Sequence, residues 1–309
     1  MSNKMNSIEL TAPAKVNLIL KVLNRRKDSY HNIYTLFERI SLADRIKITR
    51  IDRGIEVICD KPVTVRPRDN IAYKAAELIL KAAKVRSGVR IRIKKRIPIA
   101  AGLGGGSSDA AAVLTGINRL FRLDIPKPKL MRFGAKLGAD VPFFILDTPF
   151  AIGKGIGDRL KKLDMKGKLF HLLIYPGFKV ATKDVYQGLP MPRLKNSALV
   201  PSEVEGPKSL TNFSGDVKIR LPKGCNGLEE MLHNDLEAVV AAKKPVIGTI
   251  IRCLASSLGR RAIVSGSGPS VFCLCGTRKE ALKARGKLCG SVPAGSRKRW
   301  RVFIAWTKR

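Results

Sequence analysis

A chain of 309 residues with 45% hydrophobic content can bury a large core, and its length favours two domains. Its 59 lysines and arginines stand against 24 aspartates and glutamates, a formal charge of +35 that suits polyanionic ligands and speeds their arrival. No apolar run reaches the roughly 20 residues of a membrane span, and Lys15, Asn17 and Lys21 interrupt the N-terminal stretch where a signal segment would be continuous, so a cytoplasmic chain with no membrane partner is expected.

Apolar patterning predicts strands over 15–23 and 44–51, then a helix over 70–84 with Asn70 as its N-cap. Residues 89–95 read as a strand: Val89, Ile91 and Ile93 alternate with Arg90, Arg92 and Lys94, so one face packs inward and the other presents cations. Helices are predicted over 109–121 and 128–137, the second ending at Gly138. The periodicity lapses at Gly153-Lys154-Gly155-Ile156-Gly157, which places a domain boundary near residue 165 and divides the chain into 1–165 and 166–309.

Past a strand at 169–175, residues 189–227 hold five prolines and no sustained period, and read as an irregular insert. Helices at 228–242, 246–258 and 278–288, strands at 261–265 and 270–275, and a last strand ending at Trp306 complete a second unit of mixed helix and strand. Cys273 and Cys275 share one face of their strand and lack the Cys-x-x-Cys spacing of a zinc or redox site. His31, His171 and His233 are far apart, so no metal ligand is assigned and the thiols are expected reduced.

The densest chemical signal is the stretch from Pro98 through Ile99-Ala100-Ala101-Gly102-Leu103-Gly104-Gly105-Gly106-Ser107-Ser108 to Asp109. Four glycines and two serines lie between a basic strand and an alanine-rich helix whose N-terminal dipole favours an anion. A P-loop would need Gly-Lys followed by Ser or Thr, which is absent, and the spacing does not fit a dinucleotide loop after a first strand. A plain turn rarely needs so many permissive residues, so the expected ligand is nucleotide phosphate. Nucleic-acid binding is the other reading of the charge; against it, aromatic residues make up only 6% and the basic run at 296–299 leads straight into an apolar strand.

This loop resembles the second phosphate-binding motif of the GHMP kinases, the family of galactokinase and of homoserine, mevalonate and phosphomevalonate kinases. Residues 12–18, Ala-Pro-Ala-Lys-Val-Asn-Leu, resemble its first motif, and 264–270, Val-Ser-Gly-Ser-Gly-Pro-Ser, its third. Within the family, residues 25–31 with 35–37, 137–144 and Asn234-Asp235-Leu236-Glu237 resemble the branch that phosphorylates a cytidine diphosphate ester in isoprenoid precursor synthesis.

The resemblance implies an α+β, two-domain GHMP kinase fold: an N-terminal domain like domain 2 of ribosomal protein S5, a ferredoxin-like C-terminal domain, and the active site between them. It implies a kinase using ATP and Mg²⁺ on a small-molecule substrate, monomeric or homodimeric and requiring no nucleic acid. By the same resemblance Asp140 is the catalytic base and Lys15 its partner; Pro98, Gly102, Leu103, Gly104, Gly105, Gly106, Ser107 and Ser108 hold the ATP phosphates. Asn17, Tyr30, His31, Tyr186, Gly266 and Gly268 meet the acceptor, with Tyr30 and Tyr186 stacking on cytosine and His31 bonding its edge. Ser29 stands where the motif has glycine, which would strain a turn of positive φ.

Overall fold

A computed structural model describes residues 6–62, 66–190, 218–220, 226–291 and 300–309. Most of the insert expected at 189–227, and the basic run at 296–299, lie outside the described residues.

The chain opens on a long antiparallel hairpin of β1 (Ser7–Arg25) and β2 (His31–Ile51). Both strands exceed the expected 15–23 and 44–51. Residues 7–12 keep the period of two, with Ile8, Leu10 and Ala12 against the helices and Glu9 and Thr11 outward. Residues 33–40 are buried almost without alternation, because layers on both sides enclose this part of β2.

There follow β3 (Ile55–Cys59), α1 (Ile71–Ala82), β4 (Gly88–Lys94), α2 (Gly105–Phe121), α3 (Lys127–Leu137), α4 (Val141–Leu146), β5 (Phe150–Lys154) and β6 (Arg159–Lys162). Asn70 caps α1 as expected, its Oδ1 accepting the Ala72 N–H at 2.9 Å. The glycines at 153–157 do not mark a linker: Gly155 and Gly157, at φ +69° and +105°, turn a hairpin whose first strand, β5, pairs with β2.

Ile46, Ile48, Val89, Ile91 and Ile93 meet Ala72, Ile79, Val113 and Ile117 of α1 and α2 in one apolar core. Burial of these aliphatic chains, at roughly 25 cal/mol per Å² of apolar surface, holds the helices to the sheet.

The remaining elements are β7 (Asp164–Lys166), β8 (Phe170–Tyr175), α5 (Thr182–Gln187), β9 (Lys218–Arg220), α6 (Asn226–Glu229), β10 (His233–Asn234), α7 (Glu237–Lys243), α8 (Val246–Leu258), β11 (Ala262–Val264), β12 (Val271–Cys275), α9 (Arg278–Ser291) and β13 (Arg301–Trp306). Strands β11, β12, β8 and β13 form an antiparallel sheet in that order. Buried residues of α7, α8 and α9 share an apolar cluster with this sheet, and Cys273 and Cys275 lie buried on β12.

The single helix expected at 228–242 is broken into α6, β10 and α7. Asn234 is the cause. Its Nδ2 donates to the carbonyls of Val264 (2.7 Å) and Gly266 (2.8 Å), its Oδ1 accepts the Leu236 N–H, and Asp235 Oδ2 accepts the Val22 N–H at 2.6 Å. Side chains that bond the backbone in this way compete with a helix. They also let β10 pair in parallel with β1, carrying chain from the second half into the first sheet.

A second tie joins the sheets at Glu38, fully buried, whose Oε1 accepts from the Thr307 hydroxyl at 2.7 Å and lies 3.0 Å from His171 Nε2.

Candidate active site

Between the sheets lies a cavity of about 1130 Å³, walled by the middle of the β1–β2 hairpin, the loop before α2, the start of α4, α5 and the β11–β12 turn. The loop is pinned from both sides by three successive carbonyls. Ala101 accepts from Ser270 N–H (3.2 Å), Gly102 from the Ser265 hydroxyl (3.1 Å) and Leu103 from Lys15 N–H (3.0 Å).

Helix α2 starts at Gly105, four residues before the expected Asp109; glycine's poor helix propensity hid its first turn. The Ser108 N–H is bonded to the Gly104 carbonyl at 2.9 Å, whereas Gly105, Gly106 and Ser107 precede the first carbonyl that the helix can offer them. Their N–H groups, at the positive end of a 17-residue helix, form an anion seat on the cavity wall.

Pro98, Gly102, Gly104 to Gly106 and Ser107 line the cavity. Leu103 and Ser108 do not. The Leu103 side chain is buried in the core, and the Ser108 hydroxyl is buried with no hydrogen-bond partner among the described residues.

Lys15 and Asp140 meet at the mouth of this seat. The Lys15 ammonium, 4% exposed by residue, donates to Asn17 Oδ1 at 2.6 Å and lies 3.3 Å from Asp140 Oδ2. Asn17 in turn donates to the Thr35 hydroxyl at 2.8 Å, so the ammonium is aimed by a fixed amide. Asp140 sits in the short connection between α3 and α4, its side chain 30% exposed toward the cavity. Gly266, at φ +57°, closes the group from the second sheet: a Cβ there would lie 3.2 Å from Asn17 Oδ1 and 3.3 Å from Lys15 Nζ. Only a residue without a side chain brings that backbone so near the pair.

At the far end, the Tyr186 and His31 rings stack with centroids 5.1 Å apart and planes 28° from parallel. Tyr30 does not join them; it is 59% exposed, on the cavity rim beside Ser29. Ser29 takes the left-handed backbone expected of the motif's glycine, at φ +69°. Burial, and then the neighbouring Arg25, lowers the His31 pKa, which favours the neutral ring with one donor and one acceptor nitrogen. Burial, with Asp140 adding to it, pushes the Tyr186 hydroxyl up, so it stays a neutral donor. A bond of 2.8 Å between the Thr182 and Ser267 hydroxyls ties α5 to the β11–β12 turn here.

One cluster escaped the sequence reading. Beneath the anion seat, buried Lys95 donates to both Asp44 and Asp109, the latter at 2.8 Å. Asp44 also accepts N–H groups of Arg96 (2.5 Å) and Ile97 (2.8 Å), fixing the exit of β4 into the loop. Burial alone would lower the Lys95 pKa, but the two carboxylates outweigh it and raise it. Asp109 is raised to about 7, chiefly by burial, with the Asp44 charge adding to it and Lys95 opposing. Lys95 breaking the alternation of β4 was the only sequence signal.

Among the described residues no group of three or more His, Cys, Asp or Glu is placed to hold a metal ion, and no helix is long and apolar enough to cross a membrane. Models of the GHMP kinases N terminal domain and the GHMP kinases C terminal match residues 70–148 and 223–294. The chain is 40% identical over 293 residues to the 4-diphosphocytidyl-2-C-methyl-D-erythritol kinase of Syntrophotalea carbinolica, covering 94% of this chain and 96% of that one. It is 40% identical over 284 residues to the enzyme of the same name from Geobacter sulfurreducens, covering 91% and 94%.

Among solved structures, a 4-(cytidine 5'-diphospho)-2C-methyl-D-erythritol kinase superposes with a TM-score of 0.74 at 33% identity, over 98% of this chain and all of that one. Homoserine kinase from Cytophaga hutchinsonii gives 0.72 at 17% identity, over 100% and 96%, a likeness of fold alone.

Proposed function

The chain belongs to the GHMP kinase family, and from that premise we propose that it transfers the γ-phosphate of ATP to the 2-hydroxyl of 4-diphosphocytidyl-2-C-methyl-D-erythritol, a step of isoprenoid precursor synthesis. The observation that carries the reading is the Lys15–Asp140 pair, held 3.3 Å apart at the mouth of an N–H-lined anion seat. In this reading residues 1–165 carry the phosphate loop and the catalytic pair, and 166–309 close the cavity from the other side.

Phosphoryl transfer needs alignment, charge neutralisation and a proton acceptor. The N–H groups of Gly105, Gly106 and Ser107 bind the nucleotide phosphates. The acceptor hydroxyl lies against both Lys15 and Asp140, on the cavity side of the pair. As its oxygen forms a bond to the γ-phosphorus, its O–H bond breaks and Asp140 takes the proton, while the bond from γ-phosphorus to the bridging oxygen breaks and ADP leaves. Lys15, oriented by Asn17, stabilises the negative charge on the attacking oxygen.

Mg²⁺ would arrive on the nucleotide and neutralise phosphate charge, with the Ser107 hydroxyl on the cavity wall as its protein ligand. Gly266 and Gly268 let the β11–β12 turn approach the acceptor. His31 bonds the cytosine edge, Tyr186 backs His31 by stacking, and Tyr30 covers the base from the rim.

D140N and K15A test the assignment. D140N is expected to lose about 10²–10⁴ in kcat with the fold intact, and K15A about 10²–10³. Near-normal turnover in both, with circular dichroism unchanged, would refute the assignment.

A further inference from the structure

At the β2–β4 end of the first sheet, α1 and α2 cover one face. On the other, alternation turns Arg45 and Lys47 of β2 and Arg90, Arg92 and Lys94 of β4 outward. The register sets Arg45 directly opposite Lys94, and Lys47 directly opposite Arg92. Like charges in direct opposition destabilise a strand pair, and here they occupy two rungs on the same face. Glu9 pairs with Lys47 at 3.1 Å and Glu56 with Arg90 at 2.5 Å, but among the described residues Arg45, Arg92 and Lys94 join no ion pair. Arg45, Lys47, Arg92 and Lys94 are exposed, and none of them lines the active-site cavity.

We propose that this sheet face binds the phosphodiester backbone of single-stranded nucleic acid without sequence preference. A strand rises about 3.3–3.4 Å per residue, so the opposed cation pairs repeat about every 6.7 Å along β2 and β4. A ligand with a charge at every step of a comparable repeat meets a pair each time, and a phosphate between the two cations of a rung relieves their repulsion. An extended phosphodiester strand has that unbroken charge, whereas an acidic peptide has it only where its sequence provides it. The outward residues of β2, β3 and β4 include no aromatic ring, so the contacts go to phosphate and not to stacked bases. Ile58, 48% exposed, is too small an apolar contribution for lipid insertion.

The test is fluorescence anisotropy of labelled oligo(U) and oligo(dT) across a salt series, comparing the full chain with R45Q/R92Q/K94Q. A second triple, K279Q/K283Q/R285Q, removes the same charge from exposed positions on α9. For the parent protein, log K is expected to fall linearly with log salt. The sheet triple should lose at least tenfold in affinity and flatten the slope by about 2, at roughly 0.7 for each phosphate no longer neutralised, with kinase turnover unchanged and Tm equal or higher. The α9 triple should stay within twofold of the parent.

In the parent protein, bound oligonucleotide should protect Lys47 and Lys94 from amine acylation and leave Lys279 reactive. Oligo(U) and oligo(dT) binding alike supports phosphate recognition, and a strong preference for either refutes it. Equal weakening by both triples, unchanged affinity in the sheet triple, or polyglutamate displacing the labelled strand as effectively as unlabelled oligo(dT) would each overturn the proposal.

Discussion

Gly102→Ala places one methyl group where two motifs touch. Gly102 has φ +76°, and a Cβ built on it lies 2.2 Å from the Ser265 carbonyl oxygen and 2.9 Å from that of Gly268. The left-handed backbone costs an alanine about 1–2 kcal/mol. Both obstacles are backbone, so no rotamer relieves them, and the Ser265 carbonyl must withdraw by roughly 1 Å before the contact is ordinary. The neighbouring carbonyls of Val264 and Gly266 are held by Asn234, and Gly266 abuts Lys15 and Asn17, so the displacement reaches the catalytic pair.

A misplacement of about 1 Å at reacting groups costs on the order of 10²-fold in rate. The expected result is a loss of about 2–4 kcal/mol in urea unfolding, combining strain and overlap, and a fall in kcat of about 10²-fold. Gly106→Ala is the internal comparison, since its Cβ meets only Ile71 Cγ2 at 3.6 Å and its backbone is helical. That variant should gain up to about 1 kcal/mol. Equal stabilities for the two variants would refute the reasoning.

Two further outcomes follow from single residues. Ser29→Gly removes strain at φ +69°, offset by greater freedom of the unfolded chain, and should stabilise by about 0.5–1 kcal/mol in urea melts; a loss of stability would contradict it. Asp109 binds its proton more tightly when folded, with a pKa of about 7 against 3.8, so its contribution to stability is complete below about pH 4 and is lost as pH rises to about 7. Asp109→Asn should flatten the decline of unfolding free energy across that window, and an unchanged decline would assign the titration to another group.

The parts of the molecule that a local pattern determines were readable in advance. The alternation of β4, the Asn70 cap and the glycine-rich loop each need only neighbours in sequence, and the left-handed Ser29 followed from the glycine it replaces in the resemblance. What escaped depends on residues brought together by topology. Asp44, Lys95 and Asp109 form one buried cluster only because β2, β4 and α2 converge. The apolar half of β2 carries no alternation because it is covered on both faces, so a period of two could not find it. Asn234 breaks a helix by bonding carbonyls 30 and 32 residues away, a partner choice that no local propensity encodes. Likewise, the ring that Tyr186 meets is His31, 155 positions earlier, and the resemblance alone had placed it opposite Tyr30.

The central claim is the acceptor, and ADP formation by the purified full chain with Mg·ATP tests it most directly, with 4-diphosphocytidyl-2-C-methyl-D-erythritol, homoserine, mevalonate and no acceptor run in parallel. The expected result is sustained turnover with the cytidyl ester alone, abolished in D140N. Turnover with homoserine or mevalonate and none with the cytidyl ester would contradict it.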